Sequence, residues 1–188
     1  GQYTLRLVAA GTTLEQPIEV RADPRSTIAA EALQANLAFG VALRDAMDRA
    51  TGYVDALRAI REQTVDLRRR TESNAAASQL RTTADTVIAR TTAIESELHN
   101  PGAEVVYDIL PGREGGAKLY SQLSPLYSRA IQSDDAPTQG MRERKAWLDG
   151  ELNRVGDEIA ALRAGEVARM EQEATALALP RVIVPGTR

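Results

Sequence analysis

Ala77, Leu80, Ala84, Val87, Thr91, Ile94 and Leu98 follow one another at alternating spacings of three and four without an error. An α-helix with this pattern carries one continuous small-apolar stripe along a single side, and such a stripe is stable in water only when another helix covers it. Glu72-Ser73-Asn74 supplies a turn and cap before the helix, and His99-Asn100-Pro101-Gly102 closes it with residues that do not continue one. The chain must therefore supply partner helices, and three further segments have the required periodicity. Gly40, Leu43, Met47, Ala50, Val54 and Leu57 form a stripe within a helix expected from about Thr27 to Arg69. Either Asp23 before Pro24 or Ser26 could cap that helix, and Gly40 or Gly52 could kink it. Leu119, Leu123, Leu126, Ala130 and Ile131 mark a shorter helix that bends at Pro125 or restarts with Ser124 as cap. Leu148, Leu152, Val155, Ile159 and Leu162 mark the last helix, which opens after Thr138. Its stripe then steps to Val167, Met170, Ala174 and Leu177, so a bend or break is expected near Gly165.

Residues 1–22 differ from all of this. Tyr3, Leu5 and Leu7 alternate with Thr4 and Arg6; Ala10-Gly11-Thr12 makes a turn; Leu14, Ile18 and Val20 resume a period of two with Pro17 inside it. This is a β-hairpin in which Pro17 marks an edge or a bulge. A two-stranded hairpin is marginal alone, so it packs on the helices or belongs to a larger sheet. The second option is the more economical, and a chain that begins in mid-pattern without Met reads as cut from a longer one. On that reading Leu5, Leu7 and Ile18 lie exposed in an apolar patch. The expected fold is thus mainly α: an antiparallel four-helix bundle over residues 23–188, preceded by a hairpin over residues 1–22 from a truncated immunoglobulin-like sandwich. Residues 100–116 form a loop anchored by the run Val105 to Leu110, and Leu179 to Pro185 an extended apolar tail.

Composition narrows the chemistry. In 188 residues there is no Cys and one His, which excludes disulfides, thiolate metal sites and a catalytic thiol, and weakens metal and triad readings. A net charge of -3 gives no basic field for a nucleic-acid backbone, and no run approaches the roughly 18 apolar residues of a membrane span. The core must be built from Ala, Leu, Val and Ile, since aromatics are only 4% of the chain. Each residue that could carry chemistry has a simpler reading. His99 sits at a helix end, where a cationic ring complements the dipole. Gly112 to Lys118 lacks the Gly-Lys-Ser/Thr ending and preceding buried strand of a phosphate loop. Asp134 and Asp135 suit a turn before a helix. Trp147, Tyr120 and Tyr127 suit the core or its edge, and Arg68-Arg69-Arg70 a solvated helix end. No catalytic, cofactor-binding or metal-binding residue is assigned.

The segments Gly1 to Leu7, Pro17 to Arg25 and Gln132 to Thr138 together resemble the C-terminal region of large bacterial secreted proteins built on a β-propeller of sortilin-like or BNR repeats, often labelled glycosyl hydrolases. The resemblance implies an extracytoplasmic location, propeller and sandwich domains upstream as partners, and any hydrolase chemistry residing in the propeller rather than here. The leading expectation is a non-catalytic helical C-terminal module with a structural or interaction role. The alternative is a free-standing helical adaptor that dimerises or binds a partner helix.

Overall fold

The computed structural model describes residues 1–21, 23–100, 102 and 116–179. The chain is mainly helical, with a two-stranded antiparallel hairpin at its N-terminus. Strand β1 (Gln2–Ala9) pairs with β2 (Thr12–Glu19) across a two-residue turn in which Ala10 and Gly11 have φ of 46° and 77°. That pair of left-handed residues is the turn that matches strand twist, and Gly11 meets the requirement without a Cβ penalty. Every residue of both strands is exposed. Leu5, Leu7 and Ile18 are 57%, 56% and 41% exposed, so the hairpin does not bury them beneath the helices. Replacing all three by Thr is accordingly expected to leave the helical thermal transition unchanged within about 0.5 kcal/mol, a comparison that circular dichroism at 222 nm makes directly.

Helix α1 (Ala30–Arg70) is 41 residues long, about 60 Å, and neither Gly40 nor Gly52 interrupts it. It begins three residues later than the caps suggested. Asp23 accepts from the Arg25 amide and Ser26 from the Ile28 amide, so both shape the preceding turn, and the residue before the helix is Ala29, with no side-chain cap. After α1, Asn74 caps a 3₁₀ turn (Ala75–Ala77) that leads into α2 (Ser78–Leu98). Leu80, Ala84, Val87, Thr91, Ile94 and Leu98 are all buried, as is Ala77 just before the helix. Helix α3 (Leu119–Ile131) passes through Pro125 without restarting, and buries Leu119, Leu123, Leu126 and Ala130. Ile131, expected on that stripe, is instead 60% exposed. The run 105–110 and the tail beyond Leu179 lie outside the described residues.

Cross-helix pairs fix the directions. Arg68 meets Asp85 and Arg58 meets Glu95, so α2 runs antiparallel to the C-terminal half of α1. Asn36 donates to the Ala130 carbonyl at 2.8 Å, while Tyr120 stands beside Ala50 and Val54, so α3 runs antiparallel to the N-terminal half. Helix α4 (Gln139–Leu162) starts at Thr138, whose hydroxyl accepts from the Met141 amide. It lies parallel to α1: Arg49 donates to Asn153 at 3.0 Å, and the Tyr53 hydroxyl crosses over Gly156, where a Cβ would stand only 2.5 Å from it. An antiparallel four-helix bundle would reverse direction at every connection. Here α2 and α3 run the same way along successive halves of α1, because neither the 21 residues of α2 nor the 13 of α3 can cover 41 alone. All of these helices contribute to one continuous core.

The break near Gly165 is a π-helical turn (Arg163–Val167) that joins α4 to α5 (Ala168–Ala176) without ending the helix. A π turn accommodates one extra residue. The five-residue step from Leu162 to Val167 therefore stays on the buried side, and Val167, Met170 and Ala174 are buried. Deleting Gly165 should convert the turn to regular α-helix and restore a spacing of four across it. The expected result is a stability change within about 1 kcal/mol, whereas deleting Gly150, which lies in regular helix well before the π turn, should cost at least about 3 kcal/mol by rotating Leu152, Val155, Ile159 and Leu162 off the core. Chemical denaturation of the two variants checks this.

Candidate functional site between helices α1 and α2

The polar cluster built on Glu95, the buried charged residue among those described, lies where α2 ends and α3 begins, over the middle of α1. Helix α1 presents Arg58 and Arg61 on one face through their spacing of three, and α2 presents Glu95 and His99 through a spacing of four. Glu95 is buried, its side chain only 6% exposed. Arg58 Nε donates to Glu95 Oε1 at 2.7 Å and Arg61 Nη1 to Oε2 at 2.5 Å. His99 Nε2 lies 2.9 Å from Oε1. An ionised carboxylate only accepts, so this nitrogen carries the hydrogen, and the Arg58 Nη2 contact at 3.2 Å sets two donors side by side over one oxygen. Burial by itself would raise the Glu95 carboxyl. The hydrogen bonds from His99, Arg58 and Arg61, with the charge of Arg61, outweigh it and hold the carboxyl at about 2.

Beside the cluster is a cleft of about 280 Å³, lined by Ala50, Val54, Arg58, Leu98, His99 and Tyr120 among others. Its lining is mainly apolar, and Arg58, nearly half exposed, places its guanidinium at the rim. A proton-transfer role for Glu95 does not fit this geometry, because a base is effective when its pKa lies near the working pH and Glu95 sits far below neutrality with both oxygens engaged. What the cluster does chemically is lock two helices in register. Two further networks do the same elsewhere. Arg154 joins Glu97 of α2 to Glu151 and Glu158 of α4, and these partners, Glu97 foremost, raise its guanidinium above the ordinary range. Arg90 of α2 holds Glu166 of the π turn at 2.7 Å, and that bond draws the carboxyl below its usual value.

The residues considered from sequence are dispersed. His99 follows the last residue of α2, as its helix-end reading requires, and its engagement with Glu95 is the part that reading missed. Arg68, Arg69 and Arg70 close α1; they pair with Asp85 and, in the last two cases, Asp66. Asp134 and Asp135 are exposed in the turn before α4, and the Asp135 amide donates to Ser133 Oγ. Tyr127 packs against the core, Tyr120 is 39% exposed at the cleft, and Trp147 is 48% exposed with Arg144 stacked 4.4 Å above its ring. Trp147 is thus a surface residue, further out than its leucine neighbours suggested. Residues 112–115 lie outside the described set, and Lys118 is the residue before α3. Glu95, Arg58 and Arg61 were missed altogether. The available signal was the Glu-x-x-x-His spacing on α2 opposite an Arg-x-x-Arg spacing on α1, each next to a buried stripe residue.

No three His, Asp or Glu side chains converge as a metal site among the described residues, and no helix among them is long and apolar enough to cross a membrane. Comparison with known proteins returned no matching family model, no matching curated protein and no matching solved structure.

Proposed function

We propose that the chain is a non-catalytic helical module whose hairpin belongs to an immunoglobulin-like β-sandwich of a larger extracytoplasmic protein, and whose helices serve a structural or interaction role beside it. One observation carries the reading. Tyr3, Leu5, Leu7, Leu14, Ile18 and Val20 are all more than 40% exposed on a hairpin that the helices leave uncovered. A hairpin in that state gains little from burial, and two strands alone are marginal in water. A second layer of sheet would supply the missing burial. The polar cluster supports the non-catalytic part, since both oxygens of Glu95 are engaged by Arg58 and Arg61 from α1 and by His99 at the end of its own helix. The resemblance to the C-terminal regions of secreted propeller proteins supplies the upstream partner and the extracytoplasmic setting. The test is the mass of the native protein in its source, read by immunoblot with an antibody raised against this chain. A band far above 20.3 kDa supports the reading; a band at 20.3 kDa overturns it.

A further inference from the structure

The two outer edges of the hairpin are not equivalent, and Pro17 makes the difference. The Val20 amide donates to the Gly1 carbonyl at 2.8 Å and the Gly1 amine to the Val20 carbonyl, so Gly1 and Val20 form a pair that exchanges both hydrogen bonds. In an antiparallel ladder such pairs alternate with unbonded ones. Tyr3 with Ile18, Leu5 with Gln16 and Leu7 with Leu14 are then bonded, whereas Gln2 with Glu19, Thr4 with Pro17, Arg6 with Glu15 and Val8 with Thr13 turn their main-chain groups outward. Two consequences follow. Six of the seven large apolar side chains, Tyr3, Leu5, Leu7, Leu14, Ile18 and Val20, belong to the bonded pairs, with Gly1–Val20 included, and stand on one face; the opposite face carries Gln2, Thr4, Arg6, Glu15 and Glu19, with Val8 and Pro17 its apolar members. The outward row of β1 has donors at Gln2, Thr4, Arg6 and Val8, while the outward row of β2 is broken in its middle, because Pro17 has no N–H and its ring projects there. Proline and flanking glutamates are the residues that shield a sheet edge from further pairing.

We infer that the outer edge of β1, and not that of β2, accepts a further strand: an extended segment of alternating apolar and polar residues that continues the β1–β2 ladder through its main chain. Its apolar side chains join the face of Tyr3, Leu5 and Leu7, and β2 remains the last strand of the sheet. This deepens the reading above, on which it rests, by naming which edge the missing sheet uses.

The experiment fuses a probe strand of about eight alternating Val and Thr residues to Gly1 of the full chain, through a flexible Gly/Ser linker of about twelve residues that reaches either edge. Amide exchange is read by NMR. The expected result is exchange slowed at least about tenfold at Gln2, Thr4, Arg6 and Val8, with Thr13, Glu15 and Glu19 unchanged. Pro17→Thr should let the one probe strand divide between the two edges, so that protection falls on β1 and partial protection comes to those three β2 amides, and Thr4→Pro should abolish it on β1, the inward amides of Tyr3, Leu5 and Leu7 reporting that the hairpin is still formed. Protection of the β2 amides while Pro17 is present, or of neither row, overturns the assignment. A high native mass with either of those results would reject the edge alone, and a native mass of 20.3 kDa with β1 protected would reject the larger protein and leave the edge standing.

Discussion

Glu95→Ala is expected to destabilise the chain by about 3–5 kcal/mol, the range for removing one partner of a buried ion pair and leaving the others desolvated. Arg61, a quarter exposed, is the partner that loses most, because Arg58 can turn its guanidinium toward solvent. The same carboxylate sets a pH signature. Its folded-state pKa of about 2 lies below the ordinary value of 4.5, so its contribution is fully present above about pH 4.5 and is lost as pH falls toward 2. The depression corresponds to on the order of 3 kcal/mol. Denaturant unfolding at pH 7 and in steps down to pH 2 should show that fall in the parent chain. Glu95→Gln, which keeps the shape without the titration, should start lower at pH 7 and decline less through the same window. Parallel profiles for the two proteins would remove Glu95 from any account of acid stability.

The second large effect is expected at Leu57. It is fully buried at the point of α1 where coverage passes from α2 to α3. Leu57→Ala therefore opens space that the ends of both shorter helices border, and neither is free to collapse into it without moving the other. A loss of about 3–5 kcal/mol follows from the usual sum of transfer and cavity terms. Leu37→Ala on the same helix is the control, since Leu37 is 69% exposed and its loss should fall within about 0.5 kcal/mol. Equal losses at the two positions, measured by urea denaturation, would show that the α2–α3 junction is not closely packed.

Periodicity made the elements legible. The stripe of α2 required no adjustment, and the five-residue step at Leu162 to Val167 marked the place where regular α geometry fails, although it read as a bend or break and not as the π turn that keeps the extra residue within a continuous helix. Alternation likewise gave the hairpin and its turn, while the exposure of Leu5, Leu7 and Ile18 was legible only by assigning the hairpin to a larger sheet, since two strands alone are marginal. Direction was another matter. Stripes state that helices pack, not which way each runs, and the parallel course of α4 beside α1 depends on how much of a 41-residue helix each neighbour covers. The ion cluster was illegible for a different reason. Glu95 follows Ile94 and Arg58 follows Leu57, so each charge falls one step round the helix from a buried position and reads as a boundary residue. Only the inter-helix register, which no local pattern contains, brings Glu95 under both arginines. The start of α1 was misplaced because Asp23 and Ser26 are good caps chemically, yet their bonds serve the turn before the helix.

The way α1 is shared between its neighbours has a consequence for the order of folding during synthesis. Its contacts with α2 join residues 17 to 41 positions apart, whereas Arg49 and Asn153 are separated by 104. Close pairs close small loops and form early; distant ones wait on the rest of the chain. Once Leu98 has left the ribosome, the α1–α2 hairpin has its whole interface, while the first half of α1 still presents Phe39, Leu43 and Ala46 to water. That half stays uncovered until α3 and α4 are made. The nascent chain thus passes through a stage with a finished end and an adhesive one, and the adhesive end is the one nearer the hairpin.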